Sequence, residues 1–184
     1  MKLGILPGTF SPIHNGHIIL AFYAMDELKL DKVLFVPNTN PKHKNCTVSP
    51  IHRYNMVKLA LLKYKDTFIY EDVNLQRVEV SEFIDTMVDL RLKYPDDRLY
   101  IILGNDYKKD RLMGWREKRI ISKMGKIVVA EKDFYAPRIS IRSTLIRYLI
   151  NNGKPLKLLV PELVVEYIKQ HNLYDWLYAT NYSI

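Results

Sequence analysis

Two histidines three positions apart are the most chemically suggestive feature of this sequence. His14 and His17 lie in the segment Gly8-Thr9-Phe10-Ser11-Pro12-Ile13-His14-Asn15-Gly16-His17, directly after a short apolar run. On the first turn of a helix, residues three apart face the same way, and the N–H groups of a helix start attract anions. Two imidazoles there would donate hydrogen bonds to phosphate oxygens, which suits a charged transition state on phosphorus without a covalent step.

Two glycines allow the backbone of this segment to turn and to approach a ligand. Gly8 permits a sharp turn out of the preceding strand, and Gly16 permits close approach at the helix start. In an alternative interpretation, both histidines are satisfied polar side chains with no chemical role. A metal-binding pair is a further alternative, but the segment has no Asp or Glu to complete such a site.

A second group of phosphate-binding residue types lies near residue 145. Ser143 and Thr144 begin a predicted helix, where they can cap it and offer hydroxyl and N–H groups to a phosphate. Arg147 lies one turn later and can bind the same phosphate with its fork of donors. Taken alone, Arg147 would be interpreted as a surface arginine.

The elements that must position these groups alternate between short apolar runs and helical patterns. Predicted strands cover residues 2–6, 32–36, 68–70, 99–103 and 126–130. Predicted helices cover residues 16 to about 30, 81–93, 116–122, 143–151 and 161–171, and another begins at residue 50 behind Ser49 as N-cap. This alternation predicts an α/β fold, a parallel sheet with helices on both faces.

In such folds ligands bind beyond the carboxyl ends of the strands, where the strand order switches. We therefore expect the site in the loops after Leu6, Val36 and Leu103. We expect residues 1–184 to form one domain, with a C-terminal helical portion from about residue 143.

Composition excludes several other classes of protein. The chain has 184 residues, 48% of them hydrophobic and 26% charged, which is typical of one globular domain. A single cysteine, Cys46, excludes a disulfide scaffold or a multi-cysteine zinc site. No apolar run approaches the roughly 20 residues that span a bilayer, so we predict a cytoplasmic protein. The net charge of +8 is spread along the chain, which favours focused phosphate contacts over a nucleic-acid arm.

Both motifs resemble signatures of the nucleotidyltransferase superfamily. His14-Asn15-Gly16-His17 resembles its H-x-G-H motif, and residues 141–147 resemble its I-S-S-T-x-I-R motif with Arg142 at the second position. The resemblance implies a Rossmann-like sheet and transfer of a nucleotidyl group from a nucleoside triphosphate, with release of pyrophosphate. It also implies a catalytic set and an ATP-binding set: His14, His17 and Arg147, and then Gly8, Thr9, Phe10, Gly16, Gly104, Asp106, Ser143 and Thr144.

Further segments resemble the nicotinate mononucleotide adenylyltransferase family, over roughly residues 2–174. The loop Asn40-Pro41-Lys42-His43-Lys44 resembles its P-x-x-x-P-P-H-K loop, and residues 51–56 resemble its H-R-x-x-M helix. Gly104-Asn105-Asp106 stands where that family has G-A-D, and Leu173-Tyr174 resembles its ending. The resemblance implies ATP and a pyridine mononucleotide as substrates and Mg²⁺ with the ATP. It implies no nucleic-acid or membrane partner, and it leaves a homo-oligomer open.

The same resemblance suggests roles for four further residues. Lys42 and Lys44 would contact the mononucleotide phosphate, Trp115 would stack on the pyridine ring, and Asp106 would hold a ribose hydroxyl or help to bind magnesium. The alternatives are solvated loop lysines, a core tryptophan and an ordinary turn aspartate.

One segment departs from that family, which usually has Gly-x-Ser-Tyr-Thr-x-Asp-Thr-Leu there. Ser81, Asp85 and the predicted substrate-binding Thr86 remain, but Glu82 and Phe83 replace Tyr and Thr. An inward carboxylate at Glu82 would repel an acid substrate but not an amide. A nicotinamide-mononucleotide adenylyltransferase therefore stays as an alternative. A pantetheine-phosphate adenylyltransferase is another, although Trp115 and the Leu173-Tyr174 ending argue against it. A non-catalytic basic nucleotide- or nucleic-acid-binding protein is the alternative from another class.

Overall fold

Five parallel strands form the central sheet of the described part of the chain. The computed structural model describes residues 1–39, 46–75, 83–104, 115–137 and 140–174. The strands are β1 (Lys2–Gly8), β2 (Lys32–Pro37), β3 (Phe68–Tyr70), β4 (Arg98–Leu103) and β5 (Lys126–Val129). Their order across the sheet is β3-β2-β1-β4-β5, and every pairing is parallel.

The strand order reverses beside β1. The chain passes outward from β1 through β2 to β3, then returns to place β4 on the other side of β1. The carboxyl ends of β1 and its two neighbours therefore meet at one edge, around the switch point where ligands bind in this class of fold. The predicted α/β fold, a Rossmann-like parallel sheet, is confirmed.

Six α-helices connect and cover the strands within the described residues. They are α1 (Asn15–Leu28), α2 (Pro50–Leu61), α3 (Phe83–Lys93), α4 (Trp115–Met124), α5 (Ser143–Asn151) and α6 (Glu162–Gln170). Lys29 ends α1 in a left-handed conformation, and Pro50 occupies the first position of α2, where its missing N–H costs nothing. None of the described helices has the length and apolar character that crossing a bilayer demands.

The hydrophobic core has two layers because successive strand residues point to opposite faces. Leu6, Phe35 and Ile102 pack on the face covered by α1, α2, α5 and α6. Ile5, Leu34 and Ile101 pack on the opposite face, where α3 and α4 lie. Helices on both faces of the sheet are thus confirmed, and the three central strands β1, β2 and β4 are buried on both sides.

Element boundaries differ from the predicted ones by a few residues. Strand β1 continues to Gly8, which pairs with Pro37 at the end of β2, since a proline at the last position of a strand loses no required donor. Helix α3 is described from Phe83, and the predicted start at Ser81 lies outside the described residues. Two helices, α5 and α6, follow Arg142.

Candidate active site

The histidine loop, defined as residues 8–17, occupies the switch point between β1 and α1. It begins at the carboxyl end of β1, beside the ends of β2 and β4. Phe10 has a positive φ of 48° and a buried ring, which packs edge-on against His17 with ring centroids 5.0 Å apart. The loop therefore brings the imidazole of His17 into a fixed relation with the sheet.

His14 and His17 stack on each other at the start of α1, as their spacing predicts. Their ring centroids are 3.7 Å apart, with an interplanar angle of 24°. His14 is the N-cap residue, and its backbone N–H donates to Nδ1 of His17 at 3.2 Å. Because Nδ1 of His17 accepts this bond, the neutral ring carries its proton on Nε2. The pair thus combines a buried imidazole with one whose Nε2 is a donor.

His14 is the more deeply buried of the two imidazoles, with 5% of its surface exposed. Within the described part of the chain, its buried Nδ1 has no hydrogen-bond partner. Burial lowers the pKa of His14 from 6.5 to about 4, and a backbone hydrogen bond offsets only part of that effect. His14 is therefore neutral at pH 7 in the unliganded protein.

The lowered pKa of His14 makes the stability of the protein depend on pH. Between pH 6.5 and about 4, the unfolded chain binds a proton that folded His14 excludes. The free energy of unfolding is therefore expected to fall through this window, by about 3 kcal/mol in total from this residue. Above about pH 6.5 its contribution is complete. His14→Asn keeps a good N-cap residue and should remove this part of the dependence.

Urea unfolding of both proteins at about pH 7.5 and about pH 4.5 measures the effect. Carboxylates that titrate at low pH affect both proteins alike, so the difference between the two pH dependences isolates His14. If wild type and His14→Asn lose the same stability on acidification, then the burial of His14 does not govern its protonation.

Packing leaves little room for a side chain at either predicted glycine of this loop. A Cβ at Gly8 would lie 2.7 Å from Cζ of the Phe10 ring, and one at Gly16 would lie 3.0 Å from Nδ1 of His14. Any larger side chain would displace the ring that it meets. The absence of a side chain at both glycines therefore leaves room for the rings of Phe10 and His14 in their observed positions.

The second motif lies against the first, although more than 120 residues separate them in sequence. Arg147 Nη1 donates to the carbonyl oxygen of Ser11 at 2.6 Å, and Ser143 Oγ donates to that of Pro12 at 2.9 Å. The predicted capping by Ser143 is wrong, because Arg142 is the N-cap and makes no side-chain capping bond. Ser143 instead ties α5 to the histidine loop, while Thr144 is exposed one residue further on.

The helix start offers fewer free N–H groups than the sequence indicates. The backbone N–H of Asn15 donates to the carbonyl of Leu159 at 2.9 Å, and its side chain donates to that of Leu158 at 2.8 Å. The segment between α5 and α6 therefore takes up the first backbone donor of α1, which leaves fewer N–H groups at this end for an anion.

Arg53 is a central residue that the sequence analysis did not assign to the site. It is fully buried on α2 and donates to backbone carbonyls of two loops, the one after β1 and the one between β2 and α2. Its Nη1 binds Thr9 at 2.8 Å and Asn38 at 2.6 Å, while its other donors bind Thr39 and Val48. In the sequence, a charged residue within the apolar stripe of a helix could have indicated a buried arginine. The spacing of residues could not show which carbonyls it binds.

Thr86 lies in a polar network at the carboxyl end of β2. Its hydroxyl donates to Oδ1 of buried Asn74 at 2.9 Å, and Nδ2 of Asn74 donates to the carbonyl of Pro37 at 3.1 Å. Thr39 also donates its hydroxyl to the carbonyl of Asn74. The network places Thr86 near the carboxyl end of β2. The sequence analysis did not identify Asn74.

Several predicted residues lie outside the described part of the structure. These are Lys42, Lys44, Ser81, Glu82 and Asp106. Trp115 is the first residue of α4, and its side chain is not described. Gly104 directly follows β4 and so lies at the ligand edge of the sheet.

Known proteins resemble this chain over most of its length. A family model described as cytidylyltransferase-like matches residues 5–149. A relative from Dictyoglomus turgidum, named a probable nicotinate-nucleotide adenylyltransferase, is 37% identical and covers 95% of this chain and 96% of its own. A relative of the same name from Lactiplantibacillus plantarum is 36% identical and covers 95% of this chain and 88% of its own.

Two solved structures share the fold at lower identity. A putative nicotinate-nucleotide adenylyltransferase from Vibrio parahaemolyticus superposes with a TM-score of 0.71 at 19% identity, over 95% of this chain and 96% of its own. Plasmodium falciparum nicotinic acid mononucleotide adenylyltransferase, complexed with NaAD, superposes with a TM-score of 0.67 at 17% identity, over 94% and 97%. The family match and the identity to full-length relatives together decide the assignment: the chain belongs to the cytidylyltransferase-like family, among its nicotinate-nucleotide adenylyltransferases.

Proposed function

We propose that this protein transfers the adenylyl group of ATP to nicotinate mononucleotide, giving nicotinate adenine dinucleotide and pyrophosphate for NAD biosynthesis. The observation that carries the proposal is the stacked pair His14 and His17 at the start of α1, with Arg147 bonded to the same loop. The loop that makes these contacts lies at the switch point, where this class of fold binds ligands.

In this reaction a phosphate oxygen of the mononucleotide attacks the α-phosphorus of ATP. A new oxygen–phosphorus bond forms while the bond from the α-phosphorus to the oxygen bridging to the β-phosphorus breaks. The attacking phosphate is already an anion at neutral pH, so no general base is needed. Catalysis then depends on alignment and on neutralising the charge that develops.

The described residues supply donors for that charge. Nε2–H of His17 would donate to a phosphate oxygen, and neutral His14 has one ring N–H to offer. Arg147 supplies permanent positive charge. Since a guanidinium has five N–H donors, its bond to Ser11 leaves others for the triphosphate.

Magnesium would come to this site with ATP. Among the described residues, no group of three or more His, Cys, Asp or Glu side chains could hold a metal ion. We propose that Mg²⁺ binds the ATP phosphates and water, since this ion usually takes only one or two protein carboxylates.

The other substrate-binding residues are proposed from the two sequence motifs and the family resemblance. The proposed ATP site also includes Gly8, Thr9, Phe10, Gly16, Gly104, Asp106, Ser143 and Thr144, and the mononucleotide site includes Lys42, Lys44, Thr86 and Trp115. We propose that residues 1–184 act as one nucleotidyltransferase domain, supported by the bonds from Ser143 and Arg147 to the histidine loop. We place the reaction in the cytoplasm.

Substrate choice gives the sharpest test of this proposal. Asp85 and Thr86 lie in the first turns of α3, whose N–H groups favour a carboxylate, whereas Glu82 would rotate into water at little cost. We expect kcat/KM for nicotinate mononucleotide to exceed that for the nicotinamide form by about tenfold or more. Glu82→Gln should change this ratio less than about threefold.

The measurement is pyrophosphate release from ATP with both mononucleotides and with phosphopantetheine. A preference for the amide contradicts the acid-specific assignment and leaves adenylyl transfer standing. No pyrophosphate release with any acceptor would favour the non-catalytic alternative. Binding to nucleic acid that weakens steeply with salt would then support that alternative.

A further inference from the structure

Tyr174 lies beside the histidine loop, although it is 163 positions from Ser11, which it contacts. Its side chain is 4% exposed, and its hydroxyl oxygen is 3.3 Å from Oγ of Ser11, which is also buried. Neither hydroxyl has a part in the proposed chemistry. The proposed reaction therefore does not account for this contact between two buried hydroxyl groups.

Ser11 is held from two sides. Arg147 donates to its carbonyl oxygen at 2.6 Å, while Tyr174 contacts its side chain. The neighbouring residue Phe10 packs its ring against His17. A shift of Ser11 would consequently act on the guanidinium of Arg147 directly and on the imidazole of His17 through Phe10.

The backbone at Tyr174 adopts a conformation that a tyrosine rarely takes. Its φ is 67°, in the left-handed region, and Asn172 two residues earlier has a φ of 48°. Such conformations persist only where surrounding contacts compensate. Here the bend after α6 turns the aromatic ring into the protein, against the histidine loop.

The electrostatic surroundings keep the hydroxyl neutral. Burial raises the pKa of Tyr174 to about 12, although the Ser11 hydrogen bond and the guanidiniums of Arg53 and Arg147 act in the opposite direction. At neutral pH the group is a phenol. It can therefore hydrogen-bond beside a triphosphate without repelling it.

We propose that Tyr174 is a positioning residue of the adenylyl-transfer site, whose hydroxyl fixes Ser11 and, through Ser11, the guanidinium of Arg147 and the ring of His17. This inference rests on the proposed function. Under this inference, the turn after α6 both packs against the helices and positions the groups that bind ATP.

Tyr174→Phe removes the hydroxyl and keeps the ring. Loss of one neutral hydrogen bond typically changes a rate constant or an equilibrium constant about fivefold. We therefore expect kcat/KM for ATP to fall about fivefold. The KM for nicotinate mononucleotide should stay within about twofold, since the contact acts on the triphosphate side. A general loosening of the fold would instead raise both KM values.

Tyr167→Phe is the matched control. The Tyr167 hydroxyl on α6 contacts Nδ1 of His52 and accepts from Nδ2 of Asn55, both at 2.9 Å, so it ties α6 to α2 away from the histidine loop. We expect this variant to keep the wild-type kcat/KM for ATP within about twofold. An equal loss in Tyr167→Phe and Tyr174→Phe would overturn the proposal.

Ser11→Ala breaks the same contact from its other side and should reproduce the fivefold fall. In that background, Tyr174→Phe should change kcat/KM for ATP less than about twofold, because the interaction is already lost. Wild-type kinetics in Tyr174→Phe, or the same loss with and without Ser11→Ala, would overturn the inference. If Tyr174→Phe does not fold, the Ser11→Ala variant is the test. A wild-type kcat/KM for ATP in Ser11→Ala would then overturn the inference.

The two proposals fail separately. Wild-type protein that forms no dinucleotide would contradict the proposed function. Calorimetric titration with ATP would then still test Tyr174, because Tyr174→Phe should raise the Kd for ATP about fivefold while Tyr167→Phe should not. Equal ATP affinity in wild type and Tyr174→Phe would overturn the positioning role.

Discussion

Replacing His17 by alanine is expected to lower kcat about 100-fold or more while leaving the protein folded. Nδ1 of His17 accepts the backbone N–H of His14, so the neutral ring carries its donor proton on Nε2. One preorganised donor to a developing charge is typically worth about 3 kcal/mol in the transition state. Steady-state pyrophosphate release with saturating ATP and nicotinate mononucleotide measures the loss.

His52→Ala is the matched control for that experiment. His52 is also a partly buried imidazole with a bond at Nδ1, in this case to the hydroxyl of Tyr167 at 2.9 Å, but it lies between α2 and α6. We expect its kcat to stay within about twofold of wild type. If folded His17→Ala retains the wild-type kcat, His17 does not belong to the site.

Replacing Arg53 by methionine is expected to lower the free energy of unfolding by about 3 kcal/mol or more. Methionine keeps most of the apolar stem but leaves the carbonyls of Thr9, Asn38, Thr39 and Val48 without this donor. Buried acceptors that lose a charged donor cost their full desolvation. Urea unfolding at neutral pH measures the change.

Arg98→Met serves as the comparison, because Arg98 is exposed on β4. A surface substitution of this kind usually changes stability by less than about 0.5 kcal/mol. Equal, small losses in the two variants would mean that the carbonyls around Arg53 are satisfied by other donors. The central role given to Arg53 would then be wrong.

The sequence was sufficient to predict the sheet and most of the helices. A strand that is buried on both faces is a continuous run of apolar residues, which can be recognised locally. Strand β4 is a continuous apolar run from Leu99 to Leu103, as expected where side chains pack against helices above and below. The helical period of α5 and α6 likewise marks the residues that face the core. Such patterns depend on neighbours along the chain, so they can be read without the structure.

The sequence also predicted which residue types converge at the switch point. The spacing of His14 and His17 requires them to share one side of a helix start, and the stacked rings confirm it. Their roles in catalysis remain predictions, as does that of Arg147. The capping expected from Ser143 was wrong, because a hydroxyl at a helix start can equally donate to a loop that packs nearby.

Tertiary structure alone decided what holds these residues in place. Arg53 binds carbonyls from loops that follow different strands, and Tyr174 meets Ser11 across 163 positions. The low pKa of His14 likewise arises from burial by elements distant in the chain. Local spacing fixes which side chains share a face of one helix or strand. Contacts between elements depend on how the helices pack on the sheet, which no periodicity in a single segment encodes.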